Sequence, residues 1–374
     1  MTLPSKALHQ TTDRMIMTTA KRSALGAPIK KLVLFTDIHW GARNNSDQHL
    51  DDCLKYVDWL IEVVKAEKPS HIAFLGDWYE NRNAINVRTL NAAQEGARRI
   101  NELGIPVIFI VGNHDLYHRA NRKVFSTNPF KDLHNFHVIS EPVSLNKDWY
   151  VAPYLFRSEY AEQLIDINSH RYVMGHFEFR NFIVTGADRR LDHGPDAADF
   201  ARPKYIFTGH FHKRQVGGNI VYIGNTFPTN FGDAGDAERG CAVFDVGADD
   251  ISFIDWPDAP LFFKTRLTRV LNGEGSFPAN SRVRCVLDMD VGYSDVQALR
   301  DEMMEMYKLR EFSVEEDLQS KKEALMNGLE LLEEVDLASL DNTVRKLIHE
   351  GVTPTPTIDP ALLVSLYEEL KTET

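Results

Sequence analysis

In this sequence, short apolar runs repeatedly end in a turn that is followed at once by side chains able to bind metals. Leu32–Phe35 leads to D-I-H-W-G (Asp37 to Gly41), Ile72–Leu75 to G-D-W-Y-E-N (Gly76 to Asn81), and Pro106–Val111 to G-N-H-D (Gly112 to Asp115). Tyr172–Met174 leads to G-H-F-E (Gly175 to Glu178), and Tyr205–Thr208 to G-H-F-H (Gly209 to His212). Apolar runs of this length, bounded by turn signals, read as buried strands. Between the first two, Leu50, Cys53, Leu54, Val57, Leu60, Ile61 and Val64 recur at helical spacing until Pro69. A second helix is predicted over about Ala84–Leu103, and further strands at Ile220–Ile223, Cys241–Val246 and Ile251–Asp255. Alternating strands and helices predict an α/β class. Loops at the carboxyl ends of such strands converge, so residues spread from Asp37 to His212 can meet at one point.

The candidate ligands in the five motifs are two aspartates (Asp37 and Asp77), an asparagine (Asn113) and several histidines. Mixed carboxylate, amide and imidazole donors suit manganese, iron or zinc better than magnesium or calcium. In D-x-H and H-x-H the donors are two residues apart, which on an extended strand puts both on one face. Asp77 has two oxygens with spare lone pairs and can bridge two ions. Two ions about 3.5–4 Å apart can clamp a phosphate and support in-line attack, so the chemistry expected is phosphoester hydrolysis. His114, beside the candidate ligand Asn113, is left to protonate the leaving oxygen. Asp115 is the expected partner that orients its ring. One G-D or G-H dipeptide says almost nothing; the ordered set carries the reading. His118, His134 and His137 read as surface or packing residues, and Trp40, Trp78, Tyr79 and Phe211 as walls of the site.

The net charge of −12 argues against a protein that coats nucleic acid. Contact with a polyanion would have to be local, metal-assisted or shared with a partner. The length of 374 residues predicts two or three units. Cys53, Cys241 and Cys285 form no C-x-x-C, which excludes a zinc ribbon and fits a reducing compartment such as the cytoplasm. No apolar run reaches the ~18 residues of a membrane span. Residues 1–29 read as a weakly ordered extension, with Met15 or Met17 as alternative starts. Composition shifts near Pro257–Pro260. Beyond it, strands at Leu261–Val270 and Arg282–Asp288 and a helix over about Asp295–Leu309 predict a small α+β unit. A charged helix over Glu315–Val335 follows. Two short helices, about Leu340–Glu350 and Pro360–Lys371, flank a Thr/Pro linker at 352–358.

The motif set resembles the calcineurin-like metallophosphoesterase superfamily over about Lys31–Asp255. Within it the chain is similar to DNA-repair nuclease subunits of the SbcCD and meiotic-recombination type, and most similar to the recombination endonuclease subunit of T-even-like phages. The narrower resemblance rests on G-H-F-E-F (Gly175 to Phe179), G-H-F-H (Gly209 to His212) and the stretch Tyr222–Gly240, where Thr226 stands in place of a frequent proline. It implies a fold of two packed β-sheets flanked by helices over 30–258, a DNA-capping unit at 259–312 and a partner-binding helical tail at 313–374. It further implies that Asp37, His39, Asp77 and His212 hold one metal, that Asp77, Asn113, His176 and His210 hold the other, and that His114 is catalytic. The expected activity is manganese-dependent exonuclease and single-strand endonuclease action on DNA. The expected partner is an SMC-type ATPase bound through the C-terminal helices, in the cytoplasm (the host's, if phage-encoded); a homodimer is compatible. The rivals are a phosphatase or cyclic-nucleotide phosphodiesterase on the same scaffold, and a scaffold that has lost its metals. G-D-W-Y-E-N-R in place of G-D-x-V-D-R-G disfavours the first. The complete donor set disfavours the second.

Overall fold

The structure is a computed structural model, described over residues 27–184, 189–289 and 291–316 and at positions 359, 361, 363–365 and 367. The strands in chain order are β1 (Lys31–Phe35), β2 (His71–Phe74), β3 (Val107–Ile110), β4 (Phe136–Ile139), β5 (Val143–Ser144), β6 (Trp149–Val151), β7 (Tyr172–His176) and β8 (Tyr205–Gly209). They continue as β9 (Gln215–Gly217), β10 (Ile220–Tyr222), β11 (Gly240–Asp245), β12 (Asp250–Asp255), β13 (Phe262–Arg266), β14 (Arg282–Leu287) and β15 (Glu311–Glu316). The helices are α1 (Asp47–Glu67), α2 (Val87–Asn101), α3 (Glu159–Ser169), α4 (Leu267–Leu271) and α5 (Tyr293–Tyr307).

One six-stranded sheet runs β12-β11-β1-β2-β3-β4 and a second runs β5-β6-β7-β8-β10-β9. Strands β1 to β4 are parallel and buried along their paired lengths, apolar but for His71 and His137, as expected of strands covered on both faces. The pleat divides their side chains. Val33, Phe35, Ile72, Phe74, Val107 and Phe109 pack with Cys53, Val57, Leu60 and Ala97 of the helices. Leu32, Leu34, Ala73, Ile108 and Ile110 face Val151, Met174, Phe207 and Val221 of the second sheet. That sheet's other face packs Tyr150, Val173, Ile206 and Ile220 with Tyr160 and Ile167 of α3. The result is a helix–sheet–sheet–helix sandwich, and each buried aliphatic side chain contributes about 1.5–3 kcal/mol to it. Helix α1 starts where the Ser46 side chain accepts from His49 N, and α2 where Asn86 accepts from Arg88 N at 2.9 Å.

The third sheet, β13-β14-β15, carries α4 and α5 and has its own core of Leu267, Phe277, Val283, Cys285, Met303, Leu309 and Phe312. Arg310 pairs with Asp52 at 2.6 Å, and Arg282 donates to Gln48 at 2.9 Å, tying this unit to α1. Two expectations fail here. The strand predicted through Val270 ends at Arg266, because Asp288 accepts from Thr268 N at 3.0 Å and Thr268 Oγ1 at 2.5 Å and so starts α4. Glu315 lies within a strand, β15, rather than opening a helix. The predicted helices at 315–335 and 340–350 and the linker otherwise lie outside the described residues, as does the extension before residue 27. Of the last predicted helix, positions 361, 363–365 and 367 are helical. The three cysteines are buried and unpaired, and no helix among the described residues is long and apolar enough to cross a membrane.

Candidate metal centre

The loops after β1, β2, β3 and β8, with the end of β7 at His176, bring the motif residues together. The D-x-H segment is not an extended strand. Asp37 (φ 52°), His39 (φ 50°), Asp77 (φ 61°) and His210 (φ 89°) are all left-handed, a conformation that costs an L-residue about 1–2 kcal/mol. The first two loops pay this by pairing with each other: Asp37 N donates to the Gly76 carbonyl at 2.9 Å, His39 N to Asp77 at 3.3 Å and Trp40 N to Trp78 at 2.8 Å. Glycines precede the donors because the backbones are in near contact. A Cβ on Gly112 would lie 2.2 Å from Asp77 Oδ1, and one on Gly76 would lie 2.4 Å from His176 Nδ1.

Among the described residues three donor groups result, two of which share no residue. Asp37, His39 and His212 form one, and Asp77, His176 and His210 the other, with the donor atoms of each within 4.8 Å of one another. Asn113 joins the second, its Oδ1 lying 2.9 Å from both His176 Nε2 and His210 Nδ1. Asp77 spans the two: its Oδ2 is 3.3 Å from His176 Nε2 and 3.9 Å from His39 Nε2. His176 Nδ1 donates to the Leu75 carbonyl at 2.7 Å, which turns Nε2 inward as a lone-pair donor. Asp37 Oδ1 is buried without a hydrogen bond, 3.6 Å from His39 Nε2 and 4.0 Å from His212 Nε2. A cation at that point would satisfy all three groups, so these residues fit divalent ions.

The electrostatics are those of a charge-balanced buried cluster. Burial opposes ionisation of Asp77, yet the His176 and His114 charges hold its carboxyl well below the usual range. Burial lowers His176, but Asp77, Asp37 and the Leu75 carbonyl outweigh it and lift the ring to about 9. His39 is likewise raised well above the ordinary imidazole value by Asp37 and Glu80 against the pull of burial. Burial and the His176 charge push His210 down to about 3.

His114 lies outside these two triads, but its donor atom groups with those of His39 and Glu80 within the same 4.8 Å, and it lines the cleft. Its Nδ1 donates to the Glu80 carbonyl at 2.8 Å, leaving Nε2 free of that bond. The expected ring partner, Asp115, does not reach it. Asp115 is fully buried and accepts from the backbone N–H groups of Asp77, Trp78, Tyr79 and Gly112 at 3.0–3.2 Å. It shapes the loop that carries Asp77. Burial and the Asp77 charge push its carboxyl up to about 7, against those N–H groups. Glu80 is the functional side chain that sequence reasoning missed: its Oε2 is 2.8 Å from His39 Nδ1. Its position in G-D-W-Y-E-N was visible, but no spacing rule points from it to His39. Trp40, Trp78, Tyr79 and Phe211 are at most 2% exposed and belong to the cores, so they do not form the walls of the site.

A cleft of about 680 Å³ opens over this floor; His39, Glu80, His114 and His212 line it together with the loop Thr229–Gly232. The loop is pinned by fully buried Arg239, which donates to Asn225 Oδ1 at 2.5 Å and to both oxygens of Asp236. Asp233 accepts from Thr229 N at 3.0 Å.

Comparison with known proteins agrees with this geometry. The family model described as calcineurin-like phosphoesterase matches residues 30–214. Exonuclease subunit 1 of Enterobacteria phage T4 is 28% identical over 207 residues, 53% of this chain and 60% of the relative, so the chain spans less than two thirds of that protein. Yfce, a phosphoesterase from E. coli, aligns at 17% identity over 61% of this chain and 94% of its own, with a TM-score of 0.32. Pseudomonas putida nuclease MPE aligns at 14% identity over 61% and 86%, with a TM-score of 0.29. A dimetal phosphatase from Danio rerio aligns at 11% over 58% and 92%, with a TM-score of 0.38. The matched family and the two-sheet architecture around the donor triads establish that this chain carries a calcineurin-like metallophosphoesterase domain.

Proposed function

We propose that this chain is the nuclease subunit of a DNA recombination or repair complex, a manganese-dependent exonuclease and single-strand endonuclease. The observation that carries the reading is Asp77, a member of one donor triad whose Oδ2 also lies 3.9 Å from His39 of the other, with His114 outside both. Asp37, His39, Asp77 and His212 are assigned to one ion, and Asp77, Asn113, His176 and His210 to the other. Bound ions supply the positive charge that polarises a phosphoryl oxygen and activates water. The chain's own residues do the rest. Leu75 and Glu80 fix the orientation of His176 and His39, and Asp115 holds the Asp77 loop in its left-handed turn. His114, oriented by the Glu80 carbonyl, donates a proton from Nε2 to the leaving oxygen or steadies the charge that develops beside it.

DNA as substrate is supported by the T4 relative, which is named an exonuclease subunit. That name also supports a partner, which we take to be an SMC-type ATPase bound through the helices of the tail; residues 259–312 are assigned to capping DNA. The test is a manganese-dependent assay on single- and double-stranded DNA, with and without such an ATPase. Cleavage is expected, with residues 340–374 dispensable for basal activity and required for ATPase binding. Turnover of phosphomonoesters or cyclic nucleotides without DNA cleavage would favour the rival phosphatase or cyclic-nucleotide phosphodiesterase.

A further inference from the structure

Although the chain has a net charge of −12, Arg43, Lys264 and Arg284 line the cleft above the metal-type donors. Beyond Glu80, the one carboxylate among its lining residues is Glu311. Arg43 Nη2 lies 2.6 Å from Glu311 Oε2, and Arg282 Nε stands 3.6 Å from the same oxygen. Arg43 and Glu311 are each partly open to solvent, at 25% and 33% of the side chain. Such a half-exposed pair is worth about 1 kcal/mol or less, so it is exchangeable.

The backbone at Arg43 is also unusual. Arg43, Asn44 and Asn45 are three consecutive left-handed residues, with φ of 54°, 57° and 58°. Asn45 N bonds to the Gly41 carbonyl at 3.0 Å, and Thr89 Oγ1 to Asn45 Oδ1 at 2.9 Å, which holds the turn. Strain of this kind persists where a side chain must be aimed. Here it sits four residues after His39 and places Arg43 in the cleft.

We infer that Arg43 binds the phosphate next to the one being cleaved, and that Glu311 occupies Arg43 until that phosphate displaces it. The inference rests on the nuclease reading above and adds a selection step to it. A guanidinium fork fits phosphate as well as carboxylate, so one partner replaces the other without leaving Arg43 bare. Arg282 remains beside the released Glu311. A substrate with a single phosphate has no second anion to make the exchange, so the ion pair favours polynucleotides over small esters.

The alternative is a plain latch between β15 and the Arg43 turn, and the two accounts differ in sign. In a latch, R43Q and E311Q break the same bond and change binding in the same direction. In the exchange they move oppositely. The measurement is fluorescence anisotropy of a labelled single-stranded oligonucleotide with the full chain in EDTA. It is paired with the hydrolysis of that oligonucleotide and of bis(p-nitrophenyl) phosphate by the manganese-loaded protein. R43Q is expected to weaken oligonucleotide binding about tenfold and to lower the salt slope by about 0.7, the value for one phosphate contact on a single strand. Its KM should rise far more for the oligonucleotide than for the small diester. E311Q should tighten oligonucleotide binding several-fold. Variants that move the same way overturn this inference alone. Wild-type protein that hydrolyses the small diester but never binds the oligonucleotide overturns the nuclease reading as well.

Discussion

His39 Nε2 and His212 Nε2 face each other at 3.1 Å. Two imidazole lone pairs at that distance repel unless a proton or a cation lies between them. The buried Asp37 oxygen beside both rings and the raised proton affinity of His39 agree with a site that trades protons for metal ions.

Metal loading should therefore release protons. In protein stripped of metal, His176 is held protonated up to about pH 9, whereas it must be neutral to ligate. Below pH 9 each loading event displaces that proton, and His39 adds a second. Manganese affinity should rise with pH up to about 9, by up to about tenfold per unit for each proton lost, and less steeply once His176 is neutral. Calorimetry at pH 7.5 in buffers of different ionisation enthalpy should show net proton release. Binding with no buffer dependence would contradict the assignment.

Glu80 should tune one ion. Its carboxylate lies 2.8 Å from His39 Nδ1, where it aligns the ring and raises its donor strength. E80Q should weaken metal binding at the site containing His39 by about 10–100-fold, with the other site little changed. Chelator competition on the purified variant reads this directly, and equal affinity at both sites would rule the role out.

Asp115 is predicted to matter to stability and not to proton transfer. D115A strips four backbone N–H groups of their buried acceptor. It should cost about 3 kcal/mol or more in denaturant unfolding. A loss below about 1 kcal/mol would show that the loop finds other partners.

His114 should act in chemistry and not in holding metal. H114A is expected to keep both ions while kcat falls by about 10²–10⁴-fold. Loss of an ion in that variant would move His114 into the ligand set.

Much of this site was legible in the sequence because each motif begins where a run of apolar strand residues stops. Leu32–Phe35 and Ile72–Leu75 could be read as strands, and the metal-type side chains that follow them as one set. What could not be read depends on distant partners. The spacing of Asp37 and His39 suggested an extended strand, but pairing with the Gly76–Trp78 backbone draws both into left-handed conformations. Asp115 looked like a partner for its neighbour His114, yet four N–H groups from two loops claim it first. Strand β6 is three residues long, too short for any periodicity, and was not anticipated. Helix α4 starts on Asp288, 20 residues away, which no local propensity reveals.

The most direct test counts metal and cleavage together in wild-type protein and D77A. Wild type should bind two manganese ions per chain and degrade DNA. D77A should retain fewer than two and lose DNA cleavage by at least about 100-fold, since one carboxylate serves both ions. A D77A protein that still holds two ions and cuts DNA at the wild-type rate would contradict the shared site.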